Sequence, residues 1–181
     1  MKKDTAVIVL AAGKGTRMKS GLPKVLHKIA GKEMIHYTLD TAKSLKSKKV
    51  ITVLSNDGIE KIKKEISKKS DIAIQTEQFG TAHSTGAALP KLKNFKGNII
   101  ILYSDTPLVT KTTIRKMLNK LNAAYDAVVL GFTPNDPAEY GRLVVNGKKD
   151  LLRIIEFKDA SQTERKIGLC NSGIIAIKAD L

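Results

Sequence analysis

Residues 6–18 read Ala6-Val7-Ile8-Val9-Leu10-Ala11-Ala12-Gly13-Lys14-Gly15-Thr16-Arg17-Met18. An apolar run without alternation describes a strand buried on both faces. A loop of small residues follows it at once, and Ala and Gly let backbone N–H groups approach a ligand closely. Successive N–H groups in such a turn form a nest for phosphate oxygens. Arg17 and, further on, Lys24 of Leu22-Pro23-Lys24 add fixed positive charge suited to a polyphosphate. No third glycine follows Gly13-x-Gly15 at the spacing of the dinucleotide fingerprint, and no Gly-Lys-Ser/Thr completes a P-loop. Without further signals the stretch also reads as an ordinary strand-to-helix turn carrying solvated basic residues.

Outward from this stretch, strand and helix signals alternate. Met34, Ile35, Leu39, Ala42 and Leu45 recur at helical spacing, and Val50 to Leu54 reads as a second strand. Asn56-Asp57-Gly58 opens a helix with Ile59, Ile62 and Ile66 on one stripe. Ile72 to Ile74 is a short strand, Gly80 to Leu89 a helix of small residues ended near Pro90, and Asn98 to Tyr103 another strand. A helix over Thr110 to Leu121 and a strand over Asp126 to Gly131 follow. This alternation predicts an α/β doubly wound sheet. Beyond residue 131 the pattern changes to a hairpin, Arg142 to Val145 with Leu151 to Phe157 around Asn146-Gly147, then a strand over Ile174 to Ile177. No repeat, linker or domain boundary interrupts residues 1–181, which read as one domain.

Composition excludes several classes. The 181 residues hold 42% hydrophobic and 27% charged side chains, too apolar for a disordered tail. The single Cys170 cannot form an internal disulfide, which fits a reducing, cytoplasmic location. No apolar run reaches the ~20 residues that span a bilayer, and Gly13-Lys14-Gly15 stands where a signal-peptide cleavage site would sit. The formal net charge is +15, yet the arginines are only Arg17, Arg115, Arg142, Arg153 and Arg165. The positive charge is therefore mostly lysine, spread along the chain. Its densest group, Lys61, Lys63, Lys64, Lys68 and Lys69, reads as the solvated face of the second helix. No aromatic stacking series supports nucleic-acid binding.

Leu10-Ala11-Ala12-Gly13-x-Gly15-Thr16-Arg17-Met18 with Leu22-Pro23-Lys24 resembles the nucleotide-binding signature of sugar-1-phosphate nucleotidyltransferases. Lys24-Val25-Leu26-His27 continues it, and Gln75-Thr76-Glu77-Gln78-Phe79-Gly80-Thr81-Ala82-His83 resembles a second family segment. So do Leu102-Tyr103-Ser104-Asp105-Thr106-Pro107-Leu108, Tyr140-Gly141-Arg142, Ile155-Glu156-Phe157-Lys158-Asp159-Ala160 and Asn171-Ser172-Gly173, in order. The most similar family is bacterial N-acetylglucosamine-1-phosphate uridyltransferase, over residues 5 to 180. The resemblance implies a Rossmann-like doubly wound mixed sheet. It implies Mg²⁺-dependent transfer of UMP from UTP to N-acetylglucosamine-1-phosphate, giving UDP-N-acetylglucosamine and pyrophosphate.

The same resemblance distributes the roles. Leu10, Ala11, Ala12 and Gly13 would hold the nucleotide, Arg17 the departing β/γ-phosphates and Lys24 the α-phosphate. Gln75, Gly80 and Thr81 would read uracil, whose mixed edge suits a primary amide. Asp105, just past the buried strand, would ligate Mg²⁺, which takes one or two carboxylates plus phosphates and water. Tyr103, Gly141, Glu156 and Asn171 would meet the sugar. Ser104 departs from the family's glycine, placing a hydroxyl where backbone would approach ligand. The family's second metal ligand and its acetyltransferase β-helix have no counterpart within residues 1–181, so no acetyltransferase activity is expected, and oligomeric state stays open. A shortened UDP-sugar-binding protein and a nucleotidyltransferase for another sugar phosphate are the alternatives. His27 and His83 fall inside motifs without an assigned role, His36 reads as structural or exposed, and Cys170 as a buried thiol with no basic neighbour but Lys166.

Overall fold

The computed structural model describes residues 3–13, 15, 18–56, 59–77 and 79–180, with Lys61 described by its backbone alone. The stretch that opens the sequence forms β1 (Thr5–Leu10), at the centre of the sheet. Helix α1 (Met34–Ser44) leads to β4 (Lys49–Ser55), parallel beside β1, and α2 (Ile59–Ile66) leads to β5 (Asp71–Gln75), parallel beside β4. The chain then returns through α3 (Thr81–Gly86) to β6 (Asn98–Tyr103), which pairs parallel with the other edge of β1. The direction of winding therefore reverses between β1 and β6, the point where open α/β sheets bind ligands.

Alternate residues of β1 explain why its whole run is apolar. Val7 and Val9 face a core with Ile35, Leu39, Ile62 and Ile66 of α1 and α2, and with Ile114, Met117 and Leu121 of α4 (Lys111–Ala123). Ala6, Ile8 and Leu10 face the opposite core, with Ala88 and Leu92 after α3. Each side of the sheet is thus covered, as a doubly wound fold requires. Thr110 caps α4, its Oγ1 accepting from the Thr113 N–H. On α2 the described lysines Lys63 and Lys64 are exposed while Ile62 and Ile66 are buried, so the lysine-rich face is solvated. Asp57 and Gly58, expected to open this helix, lie outside the described residues.

The remaining strands run antiparallel. They are β7 (Ala127–Phe132), β8 (Arg142–Val145), β9 (Leu151–Ile155) and β10 (Cys170–Lys178). The order across the sheet is β5-β4-β1-β6-β10-β8-β9, with β7 on β10. Strand β10 is twice the length expected from its apolar residues. A bulge divides it: Ile175 to Lys178 pair with β6, and Cys170 pairs with β8. Gly173 sits in the bulge at φ +78°, and a Cβ there would stand 2.6 Å from the Tyr103 ring.

Several local expectations are corrected. The helix expected over 80–89 stops at Gly86, and Pro90 starts a short 3₁₀ turn (Leu89–Leu92), as fits its fixed φ. The β8–β9 connection spans Asn146 to Asp150, and its left-handed residue is Lys149, not Gly147, because Asn146 Oδ1 accepts from the Lys148 and Asp150 N–H groups. The expected strand to Phe157 ends at Ile155. Three elements escaped the sequence: the two-residue strands β2 (Lys28–Ile29) and β3 (Lys32–Glu33), turned by Ala30 and Gly31 at positive φ, and α5 (Gln162–Arg165). Among the described residues no helix is long and apolar enough to cross a membrane.

Candidate active site

The carboxyl ends of β1, β5 and β6 open into a cleft of about 430 Å³. Three strands deliver its key residues: Leu10 at the end of β1 with Ala12 and Gly13 beyond it, Gln75 at the end of β5, and Tyr103 at the end of β6 with Ser104 and Asp105 beyond it. Gly80, Thr81 and Ser84 of the α3 segment form a wall, and Lys24 closes the opposite side. Ala11 lies beneath the loop: its methyl joins the core and its N–H donates to the Val53 carbonyl at 2.9 Å. Arg17 lies outside the described residues, as do Lys14, Thr16 and Gln78.

Lys24 and Asp105, far apart in sequence, meet across the cleft: the ammonium donates to Asp105 Oδ2 at 2.7 Å. Both side chains remain about one-third exposed, so the pair is open to an entering ligand. Asp105 is the single carboxylate among the described cleft residues, and no cluster of three metal-ligating side chains occurs among the described residues. One carboxylate facing a phosphate-sized cleft fits Mg²⁺, which keeps waters and takes substrate phosphates, and fits poorly to a metal that needs an all-protein cage.

At the other end, the Gln75 amide is buried, with 3% exposure, and its Nε2 lies 3.1 Å from His83 Nδ1. Phe79, 73% exposed, sets its ring edge-on to His83 at 5.3 Å. The buried Ser84 Oγ lines the cleft and has no hydrogen-bond partner among the described residues. Ser104 resolves the expectation raised by its sequence. Its hydroxyl donates to the Leu10 carbonyl at 2.9 Å and is engaged there, fastening β6 to β1.

Tyr103 joins the cleft to a second group. Its hydroxyl donates to Thr81 Oγ1 at 3.1 Å, while its ring lies on Gly173. Two residues before Gly173, the Asn171 N–H donates to the Gly141 carbonyl at 2.8 Å. A Cβ on Gly141 would stand 3.4 Å from both Glu156 carboxylate oxygens. Gly141, Glu156 and Asn171, drawn from three segments, therefore lie together. The organiser of this group is Arg142, only 1% exposed. Its guanidinium donates to the carbonyls of Pro137, Ala138, Tyr140 and Arg165 and lies over the Phe157 ring, which also carries the Arg165 guanidinium. It also stands 4.0 Å from Cys170 Sγ, so the buried thiol does have a basic neighbour, one that sequence spacing concealed. Arg165 is presented by α5, capped by Ser161 and Glu164 in a reciprocal capping box. The Ser161 hydroxyl, then its N–H, hold the Glu164 carboxyl below its ordinary value, with Arg153 adding to the effect. The spacing Ser161-x-x-Glu164 is the signal by which this helix, missed in the sequence, could have been found.

His36, read as structural or exposed, is buried between α1 and α2. Lys69 Nζ lies 3.3 Å from its Nδ1, and Glu33 and Glu65 lie beyond its Nε2.

A cleft at the reversal point of a doubly wound sheet, with a small-residue loop, a cation and a carboxylate at its mouth, is where such a fold binds a nucleotide, and it is shared by the nucleotidyltransferase class to which similarity assigns the chain. More particularly, the chain belongs to the family of the MobA-like NTP transferase domain, whose model matches residues 7–167. Among curated relatives it is similar to the bifunctional protein GlmU of Novosphingobium aromaticivorans, 44% identical over 184 residues that cover 100% of this chain and 40% of that protein. The GlmU of Paramagnetospirillum magneticum is 45% identical over 174 residues, covering 95% of this chain and 38% of that protein. The chain thus spans about 40% of the length of the curated relatives it matches. Among solved structures, a putative glucose-1-phosphate thymidylyltransferase from Bacillus anthracis has a TM-score of 0.78 at 16% identity, covering 96% of this chain and 71% of that one. HddC from Yersinia pseudotuberculosis, complexed with GMP-PN, has a TM-score of 0.73 at 24% identity, covering 96% and 76%. These structures share the fold.

Proposed function

We propose that the chain transfers UMP from UTP to N-acetylglucosamine-1-phosphate, giving UDP-N-acetylglucosamine and pyrophosphate, with Mg²⁺ as the cofactor. The observation that carries this reading is the layout of the cleft: a buried amide at Gln75 at one end and the Lys24–Asp105 pair at the other. The similarity to GlmU over the whole chain supports the choice of substrates. Gln75, Gly80 and Thr81 read the base. The loop from Leu10 to Gly13 lies along the nucleotide, and Gly13, without a side chain, admits phosphate oxygens to the backbone. Lys24 neutralises the α-phosphate and Arg17 the β/γ-phosphates that leave.

Asp105 would hold Mg²⁺, and the bound ion supplies neutralisation of charge on the phosphates. Gly141, Glu156 and Asn171 orient the sugar, with Tyr103 between sugar and nucleotide. The sugar-phosphate oxygen attacks the α-phosphorus, and the chain contributes position and charge, the main terms in such transfers. The test is pyrophosphate release from UTP plus N-acetylglucosamine-1-phosphate, with Mg²⁺ or EDTA. Release that needs Mg²⁺ and is lost in Asp105→Ala supports the reading. Release that persists in Asp105→Ala, or none from folded protein, counts against it.

A further inference from the structure

A primary amide is nearly symmetric in shape and opposite in chemistry at its two ends. A half-turn of the Gln75 side-chain amide exchanges a donor for an acceptor with little steric cost. Uracil and cytosine differ in the same sense. Uracil offers an N3–H donor beside a carbonyl acceptor, whereas cytosine offers an N3 acceptor beside an amino donor. A free amide therefore reads either base equally well, and selectivity requires something that holds the amide one way round.

His83 is placed to do this. Its Nδ1 is 3.1 Å from Gln75 Nε2, inside hydrogen-bond range, while Gln75 itself is almost wholly out of water. A neutral imidazole that carries its proton on Nε2 presents Nδ1 as an acceptor, which takes one amide N–H. In this tautomer the flipped amide would set Oε1 against that lone pair, and the buried Gln75 amide has little solvent of its own to relieve the mismatch. The edge of Phe79 braces the imidazole from outside. The amide is left with Oε1 and its second N–H for a ligand, the complement of a uracil edge. The next residue of α3, Ser84, adds to the same wall a buried hydroxyl that has no partner among the described residues, as expected of a surface shaped for a polar ligand.

We propose that His83 is a positioning residue that fixes which end of the Gln75 amide meets the base, and so sets the preference for uracil over cytosine. The proposal rests on the uridine reading above. The test is titration of UTP and of CTP, each with Mg²⁺, into wild type, His83→Ala and His83→Asn. Asparagine can return an acceptor oxygen near the place of Nδ1. Wild type is expected to favour UTP, His83→Ala to lower the UTP/CTP affinity ratio by about tenfold or more, mainly through UTP, and His83→Asn to recover much of it. Loss of affinity for both nucleotides in equal proportion, or an unchanged ratio in His83→Ala, overturns the proposal while leaving the uridine reading intact. A wild type indifferent to the two bases overturns the uridine reading itself, and the proposal with it. His83 is exposed, so its alanine variant is expected to keep the wild-type melting temperature, which separates orientation from folding.

Discussion

Ser104 and Arg142 carry structural work that their motifs do not announce. The Ser104 hydroxyl joins β6 to β1 through the Leu10 carbonyl. Ser104→Gly is therefore expected to lower stability by about 1–2 kcal/mol, read by denaturant titration, while nucleotide affinity stays within about twofold. A large gain in nucleotide affinity would instead mean that the hydroxyl obstructs the ligand. Arg142 uses Nε and both terminal nitrogens on carbonyls, a fan of donors that one lysine ammonium cannot reproduce. Arg142→Lys is expected to cost about 2–4 kcal/mol and to weaken sugar-phosphate binding more than nucleotide binding. Equal losses for both ligands would show that the buried guanidinium supports the whole domain and not the group around Gly141 alone. Most residues that line the cleft were legible because they stand inside recognisable motifs, at or just past strand ends for Leu10, Gln75 and Asp105 and at the start of α3 for Gly80 and Thr81, whereas Ser84 was not singled out. The contacts between them were not legible. Nothing in the spacing of Gln75 and His83, or of Arg142 and Cys170, states that their side chains meet, because tertiary packing decides it.

The elements show the same division. The buried parallel strands and the longer helices announce themselves by unbroken apolar runs or by helical period, both of which come from burial. β10 announced itself only over Ile174 to Ile177, because Asn171, Ser172 and Gly173 are polar or small, and its bulge packs against Tyr103 instead of a core. β2 and β3, at two residues each, are too short for any period. Gly173→Ala places a Cβ against the Tyr103 ring on a left-handed backbone, and a cost of at least about 2 kcal/mol is expected, with loss of activity. Retention of stability would mean that the Tyr103 ring moves freely. Helix α5 yields a pH prediction. Glu164 is held below its ordinary value of 4.5 in the folded protein, chiefly by the Ser161 hydroxyl. A carboxyl with a lowered folded-state pKa stabilises the fold above its unfolded pKa and loses that contribution as pH falls through the folded value. Ser161→Ala is therefore expected to melt below wild type at neutral pH, with the gap narrowing below pH 4.5. A gap that stays constant into acid would show that the cap acts without the charge of Glu164.

At the scale of the molecule, a formal charge of +15 repels itself, and ion pairs such as Lys48–Asp4, Lys178–Asp126 and the Lys32 and Lys69 pairs on Asp40 engage only part of it. Raising NaCl from about 20 mM to about 500 mM is expected to raise the melting temperature by a few degrees, because screening relieves repulsion between distant charges. A fall would show that the local pairs outweigh the net field. The fold class was legible at this scale from the alternation of elements alone. The sheet order was not, because β6 finds β1 and β10 finds β6 across long separations in sequence. That last pairing has a consequence for how the chain comes to be folded at all. During synthesis β6 leaves the ribosome roughly seventy residues before the strand that covers its outer edge, and β7 waits for that same strand. Until residues 170–178 emerge, an apolar strand, Asn98–Tyr103, stands with one row of backbone donors and acceptors bare, open to pairing with another nascent chain. The strand that bulges beside Tyr103 is thus also the one that closes this bare edge.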